Sequence, residues 1–208
     1  ALTAGFISMG INVVLVGPLP TPALTLLSKS LRADFSVMIT ASHNPFFDNG
    51  LKFFSNQGYK ISTEDENKIE DYFFNYNFDN FKIKHSNYGK ALRLNDAMGR
   101  YSEVLKRSAD RDLDYSKIKV TLDCANGAAY KVAPEVLFEM GVDLHTIADK
   151  PSGTNINDRC GSLFPNKASQ VVKKKKCNIG ICLDGDGDRV ILIDEKGDEL
   201  KGEELIFI

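Results

Sequence analysis

The chain has 208 residues, with 26 Lys+Arg against 28 Asp+Glu for a formal net charge of −2, and 43% of its residues are hydrophobic. This is globular composition, long enough for one large or two modest domains; no apolar run reaches the roughly 18 residues of a membrane span, and no basic excess marks a dedicated nucleic-acid binder. The four cysteines (Cys124, Cys160, Cys177, Cys182) form no C-x-x-C pair and no even-spaced framework, so reduced thiols in a cytoplasmic protein are expected.

Leu2, Phe6 and Met9 recur at helical spacing from the first residue, and the chain stops at Ile208 in an apolar run. It therefore reads as part of a longer protein, with room for a preceding segment such as a targeting signal. Residues 11–16 (INVVLV) are an apolar, β-branched run between Gly10 and Gly17, which predicts a buried strand. Thr21 as N-cap and Pro22 at the first helical position open a helix whose apolar face is Leu24, Leu27 and Leu31. Residues 35–40 (FSVMIT) predict a second strand, and the strand, helix, strand order predicts a parallel βαβ unit with functional loops at the strand C-termini. Residues 51–54 and 59–61 predict a hairpin around Asn56-Gln57-Gly58, and Thr63 with Glu66 predicts a capping box for a helix carrying Ile69 and Phe73. Residues 74–87 are aromatic and Asn-rich without a period, and are assigned as loop. A new unit starts with a helix from Asn95 carrying Met98, Tyr101 and Leu105. A second α/β alternation follows, with strands at 118–122, 142–147, 179–183 and 190–193 and helices at 130–140 and 168–175. The run Lys173 to Lys176 ends the last helix, where it complements the dipole and faces solvent.

Two segments carry chemistry. Asp184-Gly185-Asp186-Gly187-Asp188-Arg189 follows the strand NIGICL directly. Three carboxylates at alternate positions of an extended backbone converge on one side, and the glycines let the chain curl. Clustered like charges need a cation among them or raised pKa values, and hard oxygen ligands point to Mg²⁺ or Ca²⁺. An EF-hand is rejected because Arg189 stands where its loop needs glycine and the flanks are strands. An Asp-nucleophile phosphatase of the haloacid-dehalogenase type remains a weak rival, since it wants Thr or Val at Asp188 and further catalytic residues downstream.

The other segment is Thr40-Ala41-Ser42-His43-Asn44-Pro45, also at a strand C-terminus and followed by Asp48-Asn49-Gly50-Leu51-Lys52. Ser42 stands where an exposed hydroxyl points into a cleft, Asn44-Pro45 favours a fixed turn, and a bend at Gly50 would bring Lys52 back over Ser42. Ser42 and Asn44 satisfying backbone groups in a turn is the bland alternative. A Ser–His–Asp hydrolase is disfavoured: adjacent Ser42 and His43 point to opposite sides, and G-x-S-x-G is absent. Together the two segments make sense as a phosphoryl-transfer site. A phosphorylated Ser42 would bring about −2 charge, a cation held by the aspartates would offset it, and Lys52, His43 and Arg189 would add donors.

At these residues the chain resembles a known family. TASHNPFFDNGLKFF is similar to the phosphoserine loop of the α-D-phosphohexomutases and DGDGDR to their magnesium loop. GPLPTPAL and VTLDCANGAAYKVAPEVLFEMG resemble the same superfamily. PSGTNINDRCGS and DGDGDR most resemble its bacterial phosphoglucosamine-mutase branch, which interconverts glucosamine 6-phosphate and glucosamine 1-phosphate on the way to UDP-N-acetylglucosamine. The resemblance implies an α/β fold of two α/β/α sandwich-type domains with mixed, mainly parallel sheets. Residues 1–94 would be domain 1, incomplete at its N-terminus, and residues 95–208 domain 2 with the start of the connection to domain 3 of a four-domain phosphohexomutase. It implies Ser42 as the phosphate carrier, Mg²⁺ held by Asp184, Asp186 and Asp188 with a Ser42 phosphate oxygen, and Lys52 assisting proton transfer. His43 and Arg189 would contact the transferring phosphate. The partner it implies is a phosphosugar, with no nucleic acid and no membrane, and it allows a homodimer. The sugar-binding loop of domain 3, the phosphate clamp of domain 4 and the arginine segment at the start of domain 1 have no counterpart here, so these residues alone are expected to show little or no turnover. A phosphomannomutase or phosphoglucomutase is the nearest alternative, and a non-catalytic divalent-cation-binding module is one of a different class.

Overall fold

The computed structural model describes residues 1–76 and 87–207. Most of the segment assigned above as loop, residues 77–86, lies outside the described residues, but its start is helical. The elements in order are α1 (Leu2–Ser8), β1 (Val13–Leu15), α2 (Thr21–Ser30), β2 (Phe35–Thr40), β3 (Gly50–Ser55), α3 (Thr63–Asn75), β4 (Ala91–Arg93) and α4 (Ala97–Ser108). They continue with β5 (Lys119–Asp123), α5 (Val132–Glu139), β6 (Asp143–Ile147), α6 (Asn166–Lys175), β7 (Ile179–Leu183), β8 (Val190–Ile193), β9 (Glu199–Leu200) and α7 (Gly202–Phe207). No helix among the described residues is long and apolar enough to cross a membrane.

The second half builds one five-stranded sheet in the order β6-β5-β7-β8-β9. Its parallel centre (β6, β5, β7) is continued by antiparallel β8 and β9. The β5 sequence VTLD is wholly buried, which is why it reads as a continuous run rather than an alternation. Ala168 and Val172 of α6 pack on Cys177, Cys182 and Ile193. Gly180 permits that contact, since a Cβ there would stand 2.9 Å from Val172 Cγ2 and 3.0 Å from Ile193 Cβ. The lysines that close α6 face solvent, as expected. All four cysteines are free and buried, and burial pushes the Cys124 and Cys182 thiols up to about 12 and Cys160 to about 11.

The first half departs from the expected βαβ sheet. β1 pairs in parallel with β4, and β2 pairs antiparallel with β3, as two separate two-stranded sheets. Parallel and antiparallel pairings are thus balanced across the mixed sheets. A cavity of about 790 Å³ separates β1 from β2. Consecutive residues of both strands line it (13–17 and 34–41), so it is their hydrogen-bonding edges and not one side-chain face that border it, with Leu24 and Leu27 of α2 alongside.

Two caps also move by one residue. Ser62, not Thr63, caps α3, accepting from the Asp65 N–H, while Glu66 pairs with Lys60. Thr21 is already the first residue of α2, because its hydroxyl is drawn to another partner described below. The expected 59–61 arm of the hairpin is reduced to a single bridge, Phe54 to Lys60, closed by the Ser55 N–H on Tyr59 O.

A shared core joins the two halves. Leu19, Ala23 and Leu27 from the α2 region interlock with Ala97 and Tyr101 of α4 and with Ala129, Val132 and Val136 around α5. Helix α4 contacts both α2 and α5, and Leu183 at the end of β7 packs against the same cluster.

Candidate active site

Both loops singled out in the sequence meet beside that core. Met38 pairs with Lys52 across β2 and β3, so the Lys52 side chain projects beside the loop that follows β2. The strand register, not a bend, brings it there: Gly50 is a regular β3 residue opposite Thr40. Lys52 Nζ lies 3.4 Å from Ser42 Oγ, 2.7 Å from Asp186 Oδ2 and 3.0 Å from Asp188 Oδ2. Ser42 is half-buried with φ at +52°, and its N–H donates to Thr40 Oγ1 at 2.7 Å. A non-glycine residue in the left-handed region is strained and persists only where the surroundings over-determine it.

The aspartates converge differently from the expected extended alternation. The backbone turns at residues 185–187, with Gly187 at φ +66°, and Asp184 Oδ1 accepts the N–H groups of Asp188 and Arg189, each at 3.1 Å. This is a carboxylate closing its own turn, which folds Asp186 and Asp188 back beside Asp184. One carboxylate oxygen from each of the three lies within 4.8 Å of the others. Asp184 and Asp186 are buried, and Asp184 Oδ2 and Asp186 Oδ1 have no hydrogen-bond partner among the described residues. Buried anionic oxygens without donors are costly unless something positive faces them. Three hard, convergent carboxylates with two such oxygens fit a divalent cation of the Mg²⁺ or Ca²⁺ class.

The electrostatics agree. Burial, reinforced by the charges of Asp186 and Asp188, pushes Asp184 up to about 6 against the pull of its N–H donor. Burial would also raise Asp186, but hydrogen bonds from Lys52 and Thr21 outweigh it and hold the carboxyl below its usual value. Burial would lower Lys52, but the two aspartates more than compensate and keep it a firm cation.

The remaining predicted residues are less engaged. His43 is half-buried and its Nδ1 has no hydrogen-bond partner among the described residues. Arg189 contributes its backbone N–H to Asp184, while its exposed guanidinium makes no ion pair with the described residues.

Three participants were not anticipated from sequence. Thr21 Oγ1 donates to Asp186 Oδ2 at 2.7 Å, and the Thr21 N–H donates to Asp186 O at 2.8 Å. Asn157 Nδ2 donates to the carbonyls of Ser42 and Asn44. Gly127 packs directly on the backbone of Gly185, with the Ala128 N–H on Gly185 O at 2.7 Å. Both Thr21 and Asn157 lie in motifs quoted above, but their partners are more than 100 residues away.

The Gly127 contact sets a stability expectation. A Cβ at Gly127 would stand 2.6 Å from Gly185 Cα and 2.7 Å from its carbonyl carbon, and backbone atoms cannot rotate aside. Gly127→Ala is expected to destabilise by about 3 kcal/mol, the upper end of overpacking costs. Gly99→Ala in α4 meets nothing within 4 Å and should be neutral or stabilising by up to ~1 kcal/mol. Urea unfolding of the pair tests this; equal midpoints would contradict it.

Comparison with known proteins follows the same lines. Residues 1–80 match "Phosphoglucomutase/phosphomannomutase, alpha/beta/alpha domain I" and residues 99–197 match domain II of that family. A phosphoglucosamine mutase of Geotalea uraniireducens (strain Rf4) is 51% identical over 208 residues, all of this chain and 46% of the relative. One of Syntrophus aciditrophicus (strain SB) is 48% identical over the same span. The chain thus spans about half the length of the curated relatives it matches. Among solved structures, a putative phosphomannomutase from Thermus thermophilus superposes with a TM-score of 0.78 at 25% identity, covering 94% of this chain and 45% of that one. A phosphoglucomutase/phosphomannomutase family protein from Burkholderia thailandensis gives 0.77 at 25% identity, covering 95% and 43%. With the signatures of domains I and II in order along its length, and its fold shared with solved members, the chain belongs to the phosphoglucomutase/phosphomannomutase family.

Proposed function

We propose that this chain is part of a cytoplasmic phosphoglucosamine mutase that interconverts glucosamine 6-phosphate and glucosamine 1-phosphate through a phosphorylated Ser42 and a sugar bisphosphate. In this reading residues 1–94 and 95–208 are the first two domains. The observation that carries it is the single ammonium of Lys52, which reaches Ser42 Oγ, Asp186 and Asp188 together. A serine hydroxyl, a fixed cation and a triad of carboxylates at one point is what phosphoryl transfer requires, since that chemistry rests on positioning and charge neutralisation. Relatives named phosphoglucosamine mutase, about half identical along the whole chain, favour that sugar over mannose or glucose phosphates.

Asp184, Asp186 and Asp188 would hold Mg²⁺, which when bound neutralises charge on the phosphoryl oxygens. The chain's own groups do the rest. As the phosphoryl group passes from Ser42 Oγ to a sugar hydroxyl, the P–Oγ bond breaks, a P–O bond to the sugar forms, and the proton lost by the sugar hydroxyl is balanced by the one gained at Oγ, which ends as the serine hydroxyl. Lys52, held protonated by its aspartates, donates to Oγ as negative charge develops there. Thr21 and Lys52 keep the Asp186 carboxylate ionised and fixed. His43 and Arg189 are proposed to meet the transferring phosphate from the open side.

The test is peptide mass spectrometry across residues 39–52 of the full-length gene product after treatment with glucosamine 1,6-bisphosphate. Phosphate on Ser42 is expected. Modification of Asp184 or Asp186 with Ser42 untouched would replace the mutase with an Asp-nucleophile phosphatase, and no modification anywhere would leave a cation-binding module.

A further inference from the structure

Resting on that reading of Ser42, we infer that Asn157 is the positioning residue that holds the phosphate-carrying serine in register with the aspartate loop. Asn157 is 8% exposed, and its side-chain Nδ2 donates to Ser42 O at 2.9 Å and to Asn44 O at 2.8 Å. Both partners are carbonyl oxygens, which only accept, so the NH₂ end of the amide faces them and its two hydrogens are used one on each. A single group thus pins both sides of the Ser42-His43-Asn44 turn.

The loop's internal bonds do not do this. The Ser42 N–H is held by Thr40 Oγ1 and the Asn44 N–H by Ala41 O, at 2.7 and 2.8 Å. These fix the amide side of the turn, whereas the carbonyl side is fixed from the other half of the chain by Asn157. The strained φ of Ser42, +52°, needs such outside support.

Asn157 is itself anchored. Its N–H donates to Ala125 O at 2.9 Å, and the Ala125 N–H donates to Asp123 Oδ1 at 2.9 Å, at the buried end of β5. The third party is Gly185, between two of the aspartates. A Cβ there would stand 2.5 Å from Ser42 O and 2.7 Å from Asn157 Nδ2, so only glycine lets the three loops meet. The chain β5, Asp123, Ala125, Asn157, Ser42 therefore ties the serine to the strand ends that carry the aspartates. Among the described residues the Asn157 side chain hydrogen-bonds to the Ser42 and Asn44 carbonyls and to neither Ser42 Oγ nor a carboxylate, so its effect on transfer runs through the orientation of Oγ.

The test uses Asn157→Ala and the isosteric Asn157→Asp in the full-length gene product, read by steady-state kinetics and peptide-resolved hydrogen exchange. The expected result is a kcat lower by about 10²-fold, the cost of misplacing a reacting group by about 1 Å, with KM little changed. Exchange should quicken across residues 41–49 and stay unchanged across 119–123. Asn157→Asp sets a carboxylate oxygen against two carbonyls while keeping the packing volume, and should be the slower enzyme of the two. A kcat close to wild type in a folded variant would overturn the inference. So would unchanged exchange at 41–49, or quickened exchange spread equally through 119–123, which marks a purely structural role. If the wild-type protein turns over no phosphosugar, the functional reading fails, and the exchange measurement still decides whether Asn157 holds the Ser42 turn.

Discussion

Ser42→Ala is expected to abolish mutase turnover in the full-length gene product, by at least about 10⁴-fold, the scale of loss when a nucleophile is removed from an otherwise intact site. Alanine deletes the atom proposed to carry the phosphoryl group, while the neighbouring threonines keep their own bonds: Thr40 Oγ1 accepts the Ser42 N–H and Thr21 Oγ1 donates to Asp186. Among the described residues Ser42 Oγ has only the long 3.4 Å contact with Lys52 to lose, so the folding free energy should move by no more than about 0.5 kcal/mol. Divalent-cation binding, proposed for Asp184, Asp186 and Asp188, should persist. An assay of glucosamine 6-phosphate formation beside isothermal titration with Mg²⁺ reads both. Retention of more than a tenth of wild-type turnover would remove Ser42 from the mechanism, and loss of cation binding with it would show that the variant had disturbed the aspartate loop.

Lys52→Met should damage stability and turnover together, through the same charge. Lys52 is the cation that faces Asp186 and Asp188 at 2.7 and 3.0 Å, and Asp186 has a side chain only 3% exposed. Methionine fills the volume of the stem and leaves the carboxylates facing each other. Breaking a fully buried pair costs about 3–5 kcal/mol. The Lys52 side chain is 27% exposed, so about 2 kcal/mol is expected after solvent screening. That deficit should appear in urea melts with EDTA and shrink when Mg²⁺ is added, because a cation bound only by the folded state restores the missing positive charge. Mg²⁺ should therefore stabilise the variant more than it stabilises wild type. Turnover should fall about 10²–10⁴-fold even at saturating Mg²⁺, the range for loss of a positioned proton donor. Equal stability of variant and wild type in EDTA would show that Lys52 does not neutralise the aspartates.

Much of this was legible before any fold was known, where the information is local. The strand FSVMIT is found residue for residue as β2, and the runs at 179–183 and 190–193 as β7 and β8, because a short apolar run closed by turn residues needs nothing distant to define it. The two chemical loops were legible for a related reason: each is a contiguous string of rare composition at a strand end. What failed was non-local. Thr21 looks like an N-cap by every nearby rule, yet its hydroxyl goes to Asp186, 165 positions later. Residues 91–93 carry no period long enough to announce a strand and become β4 only by pairing with β1. The βαβ reading placed β1 and β2 in one sheet, since hydrophobic pattern specifies which face of a strand is buried but not which neighbour its edge will find.

The sequence by itself determined the chemical inventory of this protein: a serine loop, an aspartate loop, the strands that end in them and the family they resemble. The tertiary structure alone decided how that inventory is assembled. Strand register, not a bend, set Lys52 beside Ser42; a carboxylate-closed turn folded the aspartates together; and the close approach at Gly185 lets Asn157 reach the serine carbonyl. The physical reason is range. Propensity, capping and turn chemistry act over a few residues and are written in consecutive letters, while hydrogen bonds and close backbone contacts between residues 100 or more positions apart exist only once the chain has packed.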